Sequence, residues 1–230
     1  MAMAHQDSGR ESAGRVVSAL GRLRRGSHAV RRAATRAKVF EATIACLHEL
    51  GYAPTSTPLV AERAGVSRGA MLHQFPTKAD LIVAVTEYLV QLRNQMTSER
   101  LAKHEPGLPR LLALTDAYWE VYKSPYSTAL LEVLMGCRSD RELQRRLRPV
   151  LREVARAQEE RVWRLAEEAG VSDREAVNVQ VRHDTATMRG LAIDLMAADD
   201  SEPVEAAFQH MRDHAHAVIV QLAKAKKPRG

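Results

Sequence analysis

TSTPLVAERAGVSRGAMLHQFPTK, residues 55–78, spells two short helices with a tight turn between them. Thr55 or Ser56 offers a hydroxyl that can accept from an orphan N–H of the opening turn. Pro58 stands in that turn, where its missing N–H costs little. Leu59, Val60, Ala61 and Ala64 form a small apolar face, and Gly65 ends the helix because glycine takes the left-handed C-terminal conformation without strain. Ser67 caps a second helix two residues later, and Gly69 and Ala70 keep that helix slim. The Phe75-Pro76 step closes it, since a residue before proline is pushed out of helical geometry. Two short helices joined so tightly cross at a steep angle. That is the helix-turn-helix arrangement, whose second helix enters the major groove of DNA.

The flanks complete a unit around this pair. Ala37, Phe40, Ile44 and Leu47 recur at helical spacing and predict a first helix from about Ala29 to Leu50, stopped by Gly51. Its apolar face is expected to pack on Val60, Val66, Met71 and Phe75. Thr77 and Asp80 form a capping box that opens a long helix to about His104, with Leu81, Val85, Tyr88 or Leu89, Leu92 and Met96 as its buried stripe. Pro106, Gly107 and Pro109 then mark a break. Beyond it the signals predict helices at about 108–122, 126–137, 140–169, 173–198 and 202–224. Ser139 with Glu142 and Ser172 with Glu175 read as capping boxes, and Pro149 as a kink or division of the third helix. Nothing alternates with period two, so no sheet is expected. The fold class is all-α: an N-terminal three-helix unit with a helix-turn-helix, then a C-terminal helical bundle. The expected division is a basic arm at 1–28, a helix-turn-helix domain at 29–80 and a helical domain at 81–230.

The charge agrees with that division. The net charge of +6 lies in residues 1–80, which hold 12 Lys/Arg against 6 Asp/Glu, while residues 81–230 hold 22 of each. A basic first third with a neutral remainder is the footprint of a polyanion-binding domain. Residues 1–28 read as mostly unstructured, either a solvated extension or an arm that follows phosphates or enters a minor groove. No run approaches the roughly 20 apolar residues of a membrane span, and no secretion signal precedes the arginines, so a cytoplasmic protein with no membrane partner is expected. Cys46 and Cys137 read as reduced thiols.

The string A-G-V-S-R-G-x-x-x-x-x-F-P-x-K at residues 64–78, followed by an amphipathic helix, resembles the DNA-binding domain of TetR/AcrR-family transcriptional regulators. The resemblance is close from about Arg31 to Leu89 and architectural beyond. Two positions depart from the family wording. Leu72 stands where many members have tyrosine, and Gln74 where histidine or tyrosine usually precedes the phenylalanine. The resemblance implies a homodimer reading a palindromic operator in double-stranded DNA, with two half-sites one groove repeat apart. Thr55, Ser56, Ser67, Gln74 and Lys78 are then the candidate phosphate contacts. Arg68, Ala70 and His73 are the candidates for base edges, with Gly69 and Leu72 on the same surface. The last two long helices, about 173–198 and 202–224, are the expected dimer faces through Val177, Val181, Met188, Leu191 and Leu195, with Gly190 allowing close approach, and through Val204, Ala207, Met211, Ala215, Val218 and Leu222.

The expected function is a repressor released by a small, largely apolar effector. Met96, Trp119, Tyr122, Met135, Trp163, His183 and Met188 are the candidate effector residues, beside Tyr118 and Tyr126, because aromatics are only 4% of the chain and concentrate there. A stripe of such residues is also what a helical core contains. His210, His214 and His216 lack an acidic or cysteine partner at ligand spacing, so no metal is expected. No phosphate loop, nucleophile elbow or zinc motif is present, so neither catalytic residues nor a cofactor is expected. The competing readings are a DNA-binding dimer without effector, and a helical small-molecule binder or enzyme with an incidental helix-turn-helix.

Overall fold

The computed structural model describes residues 32–225 together with Val30. The expected basic arm at 1–28, and Arg31, lie outside the described residues. Among the described residues there are nine helices and no strands. The first, α1, covers residues 32–50. It is followed by α2 (Thr57–Ala64), α3 (Arg68–Gln74), α4 (Lys78–Leu101), α5 (Leu108–Tyr122), α6 (Pro125–Gly136), α7 (Arg141–Glu168), α8 (Arg174–Ala197) and α9 (Glu202–Lys224).

Local signals set most of these boundaries. The Ser56 hydroxyl accepts from Leu59 N at 3.4 Å to open α2. Gly65, at φ +64°, ends it in the left-handed region, and Val66 N donates to Ala61 O at 3.0 Å. Ser67 opens α3 by accepting from Ala70 N at 3.2 Å. Thr77 and Asp80 form the expected capping box of α4. Two other caps differ from expectation. Asp140, not Ser139, caps α7 by accepting from Leu143 N, and Asp173, not Ser172, caps α8 by accepting from Ala176 N. In each case a carboxylate one residue along outcompetes the hydroxyl, being the stronger acceptor for an N-terminal amide. Pro149 lies inside α7 without dividing it.

One apolar core runs from the first helices into the second domain. Phe40, Leu47, Val60, Met71, Phe75, Leu81 and Val85 are buried together with Leu130 and Val133 of α6 and Leu143 and Leu147 of α7. Burying a side chain of this size stabilises by roughly 1.5–3 kcal/mol. Helix α4 then packs on α5, α6 and α7, and α5 meets α6 to α9. The buried stripe of α4 differs from the expected one in its second half. It runs through Leu89, Thr97 and Leu101, while Leu92 and Met96 are only half-buried. The expected stripe took a step of three after Leu89, to Leu92. The helix instead continues in steps of four, so its inner face rotates as its partners change from the helix-turn-helix to α5 and α7.

Several side chains expected at a dimer face are core. Val177, Met188, Val204, Met211 and Ala215 are buried within the protomer. Met188, Val204 and Met211 share a core with Trp119 and Phe208, whose rings stack at 4.7 Å. The exposed apolar side chains of α8 are Val179 at 63%, Ile193 at 49% and Met196 at 54%. Gly190 lies on that side with nothing within 4 Å of a built Cβ.

Tyr52, in the turn after α1, joins the two halves. Its hydroxyl donates to Asp140 Oδ2 at 2.6 Å, its N–H donates to Glu132 Oε2 at 3.0 Å, and its carbonyl accepts from Lys78 Nζ at 2.6 Å. Lys78 Nζ also lies 3.9 Å from the centre of the Tyr52 ring. The ring rests on Gly136, where a Cβ would fall 2.5 Å from Cγ. Arg146 of α7 adds an ion pair to Asp80, at the head of α4. Gly136→Ala should therefore destabilise by about 1–3 kcal/mol, read as a lower urea midpoint, because the anchored ring has nowhere to move. Gly69→Ala, with an open Cβ site in a helix, should not destabilise.

Two carboxylates of this junction titrate low. Asp80 is held below the ordinary range chiefly by the Thr77 hydroxyl and then by Arg146, and Asp140 by the Leu143 N–H and then the Tyr52 hydroxyl. Their depressed folded values stabilise the protein above the unfolded range of about 4, and this is lost as pH falls through the folded values. Acid unfolding curves should show a falling limb below about pH 4. That limb should flatten in Asp140→Asn, which is also less stable at neutral pH.

Candidate nucleic-acid interface

Helix α3 is anchored on one side and open on the other. Met71 and Phe75 are 2% exposed and sit in the core, with the Phe75 ring 5.9 Å from Phe40. Ser67, Arg68, Gly69, Ala70, Leu72 and His73 are exposed, and Gln74 is half-buried. Arg68, Ala70, Leu72 and His73 thus share a surface with no core duty, in a helix about 10 Å long. Arg36 of α1 lies over Phe40 at 4.9 Å and Phe75 at 5.5 Å, so a second cation borders the α3 C-terminus. The α2 N-terminus supplies half-buried Ser56 and Thr57.

Two residues expected at phosphates are engaged inside the protein. Thr55 is 0% exposed, and its hydroxyl donates to Gly51 O at 2.7 Å. It fixes the turn after α1 and has no surface to offer DNA. Lys78 directs its ammonium to Tyr52 O and to Ala53 O at 3.3 Å, and burial pulls its pKa down. It closes the α1–α2 turn. No spacing rule reveals either role, because the acceptor carbonyls are fixed only once the turn has folded.

The candidate effector residues do not meet in one cavity. Trp119, Tyr122 and Met188 are core, with the Trp119 indole N–H donating to Glu205 Oε2 at 3.0 Å. Trp163 packs at the edge of a separate core around Leu114 and Val162, under Arg174 at 5.6 Å. Met96 is half-buried. Met135 is 54% exposed, and His183 is exposed beside Asp184. These last two point away from the protein interior and line no internal site. Two cavities do exist, along the seam of α4 and α7, and none of the seven lines them. Tyr118, singled out in the sequence beside the seven, does line the inner one, and sequence reasoning missed the rest of the lining. Its available signal was Arg93 and Thr97 at a spacing of four within a buried stripe.

Among the described residues, no group of three or more His, Cys, Asp or Glu is placed to hold a metal. His216 Nε2 instead lies 2.9 Å from Leu112 O. Cys46 is buried and Cys137 half-buried, both unpaired with another cysteine, and burial raises both thiols. No described helix is long and apolar enough to cross a membrane.

An anchored three-helix unit with an open second helix defines a helix-turn-helix DNA-binding module. Residues 39–85 match the family described as bacterial regulatory proteins, tetR family. The HTH-type transcriptional regulator CymR of Pseudomonas putida is 31% identical over 121 residues, covering 53% of this chain and 60% of CymR. The HTH-type regulator Rv2912c of Mycobacterium tuberculosis is 28% identical over 121 residues and is covered to 62%. The chain thus spans about three fifths of the length of these curated relatives. A solved transcriptional regulator from Rhodococcus sp. Rha1 superposes with a TM-score of 0.63 at 20% identity, over 84% of this chain and 99% of that one. Residues 39–85 thus match a tetR-family DNA-binding domain, and the rest of the chain shares the fold of the solved regulator.

Thr55 and Ser67 should separate scaffold from contact. Thr55→Val leaves the Gly51 carbonyl without its buried donor and should cost about 1–3 kcal/mol of stability, with DNA affinity of the folded protein unchanged. Ser67→Ala should cost about 1 kcal/mol of stability and also weaken DNA binding.

Proposed function

We propose that this protein is a homodimeric repressor that binds a palindromic operator and is released by a small-molecule effector. The observation that carries the reading is α3: Ser67, Arg68, Gly69, Ala70, Leu72 and His73 exposed together on a helix locked from behind by Met71 and Phe75. Arg68 can pair with a guanine edge and Leu72 can meet a thymine methyl. Ser67, Ser56 and Gln74 hold phosphates and set the register.

One such helix is too short for tight binding, and a dimer supplies the second. The exposed Val179, Gly190, Ile193 and Met196 of α8, flanked by Ala207, His210, His214 and Ala217 of α9, suit a four-helix interface between two copies. Effector control follows from α4. Its first turn carries the junction to α1 and α7, and its far end lines the cavities. A ligand that displaces α4 changes the separation of the two recognition helices, which must match grooves about 34 Å apart.

Selection of bound sites from random DNA at about 0.15 M salt, where nonspecific phosphate binding is suppressed, tests the reading. One palindrome should be enriched, and Arg68→Ala or His73→Ala should abolish the enrichment. Val179→Glu with Ile193→Glu should yield a folded monomer by sedimentation, with operator binding lost. No enriched sequence with the native protein would overturn the reading.

A further inference from the structure

The seam of α4 and α7 holds two adjoining cavities. The inner one, about 20 Å³, is lined by Arg93, Asn94 and Thr97 of α4, Tyr118 of α5, and Gln158 and Arg161 of α7, with Val90 and Val154 beside them. It has room for one or two water-sized groups. The outer one, about 600 Å³, is a groove with Leu101, Ala102 and Leu165 on its walls and Ser98, Arg110, Arg164 and Glu168 around them. Arg161 lines both.

The inner chamber is a cluster of donors with no counter-charge. The Arg93 Nε is fully buried and has no hydrogen-bond partner, and its guanidinium lies 5.1 Å from the centre of the Tyr122 ring. A buried guanidinium N–H without an acceptor is costly, so such a group implies a partner that arrives. No carboxylate lines the chamber. Arg164, one turn along α7, lines only the outer groove and has a counter-charge, since it pairs with Glu160 at 3.3 Å. The nearest acidic wall residue, Glu168, is in the groove and about 10 Å along the helix from Arg161. Burial pushes the Tyr118 phenol up even with Arg161 and Arg93 near it. Tyr118 is therefore a neutral donor at physiological pH and adds no negative charge.

Two guanidiniums, a phenol and two amides around a space this small fit a planar carboxylate, which takes bidentate bonds from arginine. The chamber is too small for a tetrahedral phosphate with its ester. The apolar groove at its mouth fits a hydrocarbon chain. We propose that the effector is an amphiphilic carboxylate, its head group held by Arg93 and Arg161 and its chain lying in the groove along Leu101, Ala102 and Leu165. This rests on the reading of the second domain as an effector domain. It also changes the expected ligand from a largely apolar molecule to an anion.

Decanoate, methyl decanoate and decylammonium, titrated into the full-length protein by calorimetry, test it directly. Decanoate should bind saturably, at least about tenfold more tightly than the ester, since the lost charge-assisted pair is worth a factor of this order, and decylammonium should not bind. Arg93→Gln and Arg161→Gln should each weaken decanoate by at least about tenfold, while Arg182→Gln, an exposed arginine that lines neither cavity, should leave it unchanged. The comparison of the three ligands on the native protein stands even if a variant fails to fold. Absence of saturable decanoate binding, equal binding of the ester, or folded Arg93 and Arg161 variants that bind like the native protein would each overturn the assignment. Operator binding measured on the same preparation separates the two readings. Protein that selects its palindrome and ignores decanoate loses only the carboxylate, and protein that binds decanoate through these arginines without selecting any palindrome loses only the regulator.

Discussion

Tyr52 holds the orientation of the helix-turn-helix. Its ring, hydroxyl, N–H and carbonyl all have partners, and those partners lie on α4, α6 and the start of α7. Burial pushes the phenol pKa well up, and the bond to Asp140 adds to this. The phenol thus stays a donor over the whole working range. The turn after α1 would otherwise be a loose connection ahead of α2. Pinned at four points, it passes any displacement of α6 or α7 into the unit that carries α3.

The motif was legible because its determinants are local. Ser56, Gly65, Ser67 and the Thr77–Asp80 box each act over three or four residues, so spacing alone revealed them. Thr55 and Lys78 have partners that spacing did not show, for the opposite reason. Both are polar residues at helix starts, where phosphates are often held. Their real partners are carbonyls of the Gly51–Ala53 turn, which only the folded chain brings to them. Ser139-Asp140 and Ser172-Asp173 show a finer limit. Adjacent residues both able to cap cannot be ranked by spacing, and the carboxylate won each time.

The second domain was legible as helices and far less as a site. Aromatic residues drew attention because they are scarce, yet Trp119 stacks on Phe208 and Tyr122 closes a core. The chemically unusual feature is two arginines facing inward across a helix seam. In the sequence Arg93 is one polar residue of a long helix, and Arg161 vanishes among the many arginines of α7, most of which are solvated. Only burial distinguishes Arg161 from Arg164, and only a three-dimensional arrangement sets Arg93 opposite it.

The shared core has a consequence for how such a chain can be recombined. Leu130, Val133, Leu143 and Leu147 pack with Phe40, Leu81 and Val85 in a single cluster, so the first 80 residues are not a self-contained cassette. A chimera that grafts another regulator's reading head onto this body would have to carry the matching surface of α6 and the first turns of α7 with it. The natural splice point is therefore a buried face that both parts must keep in common, and the two parts are bound to change together.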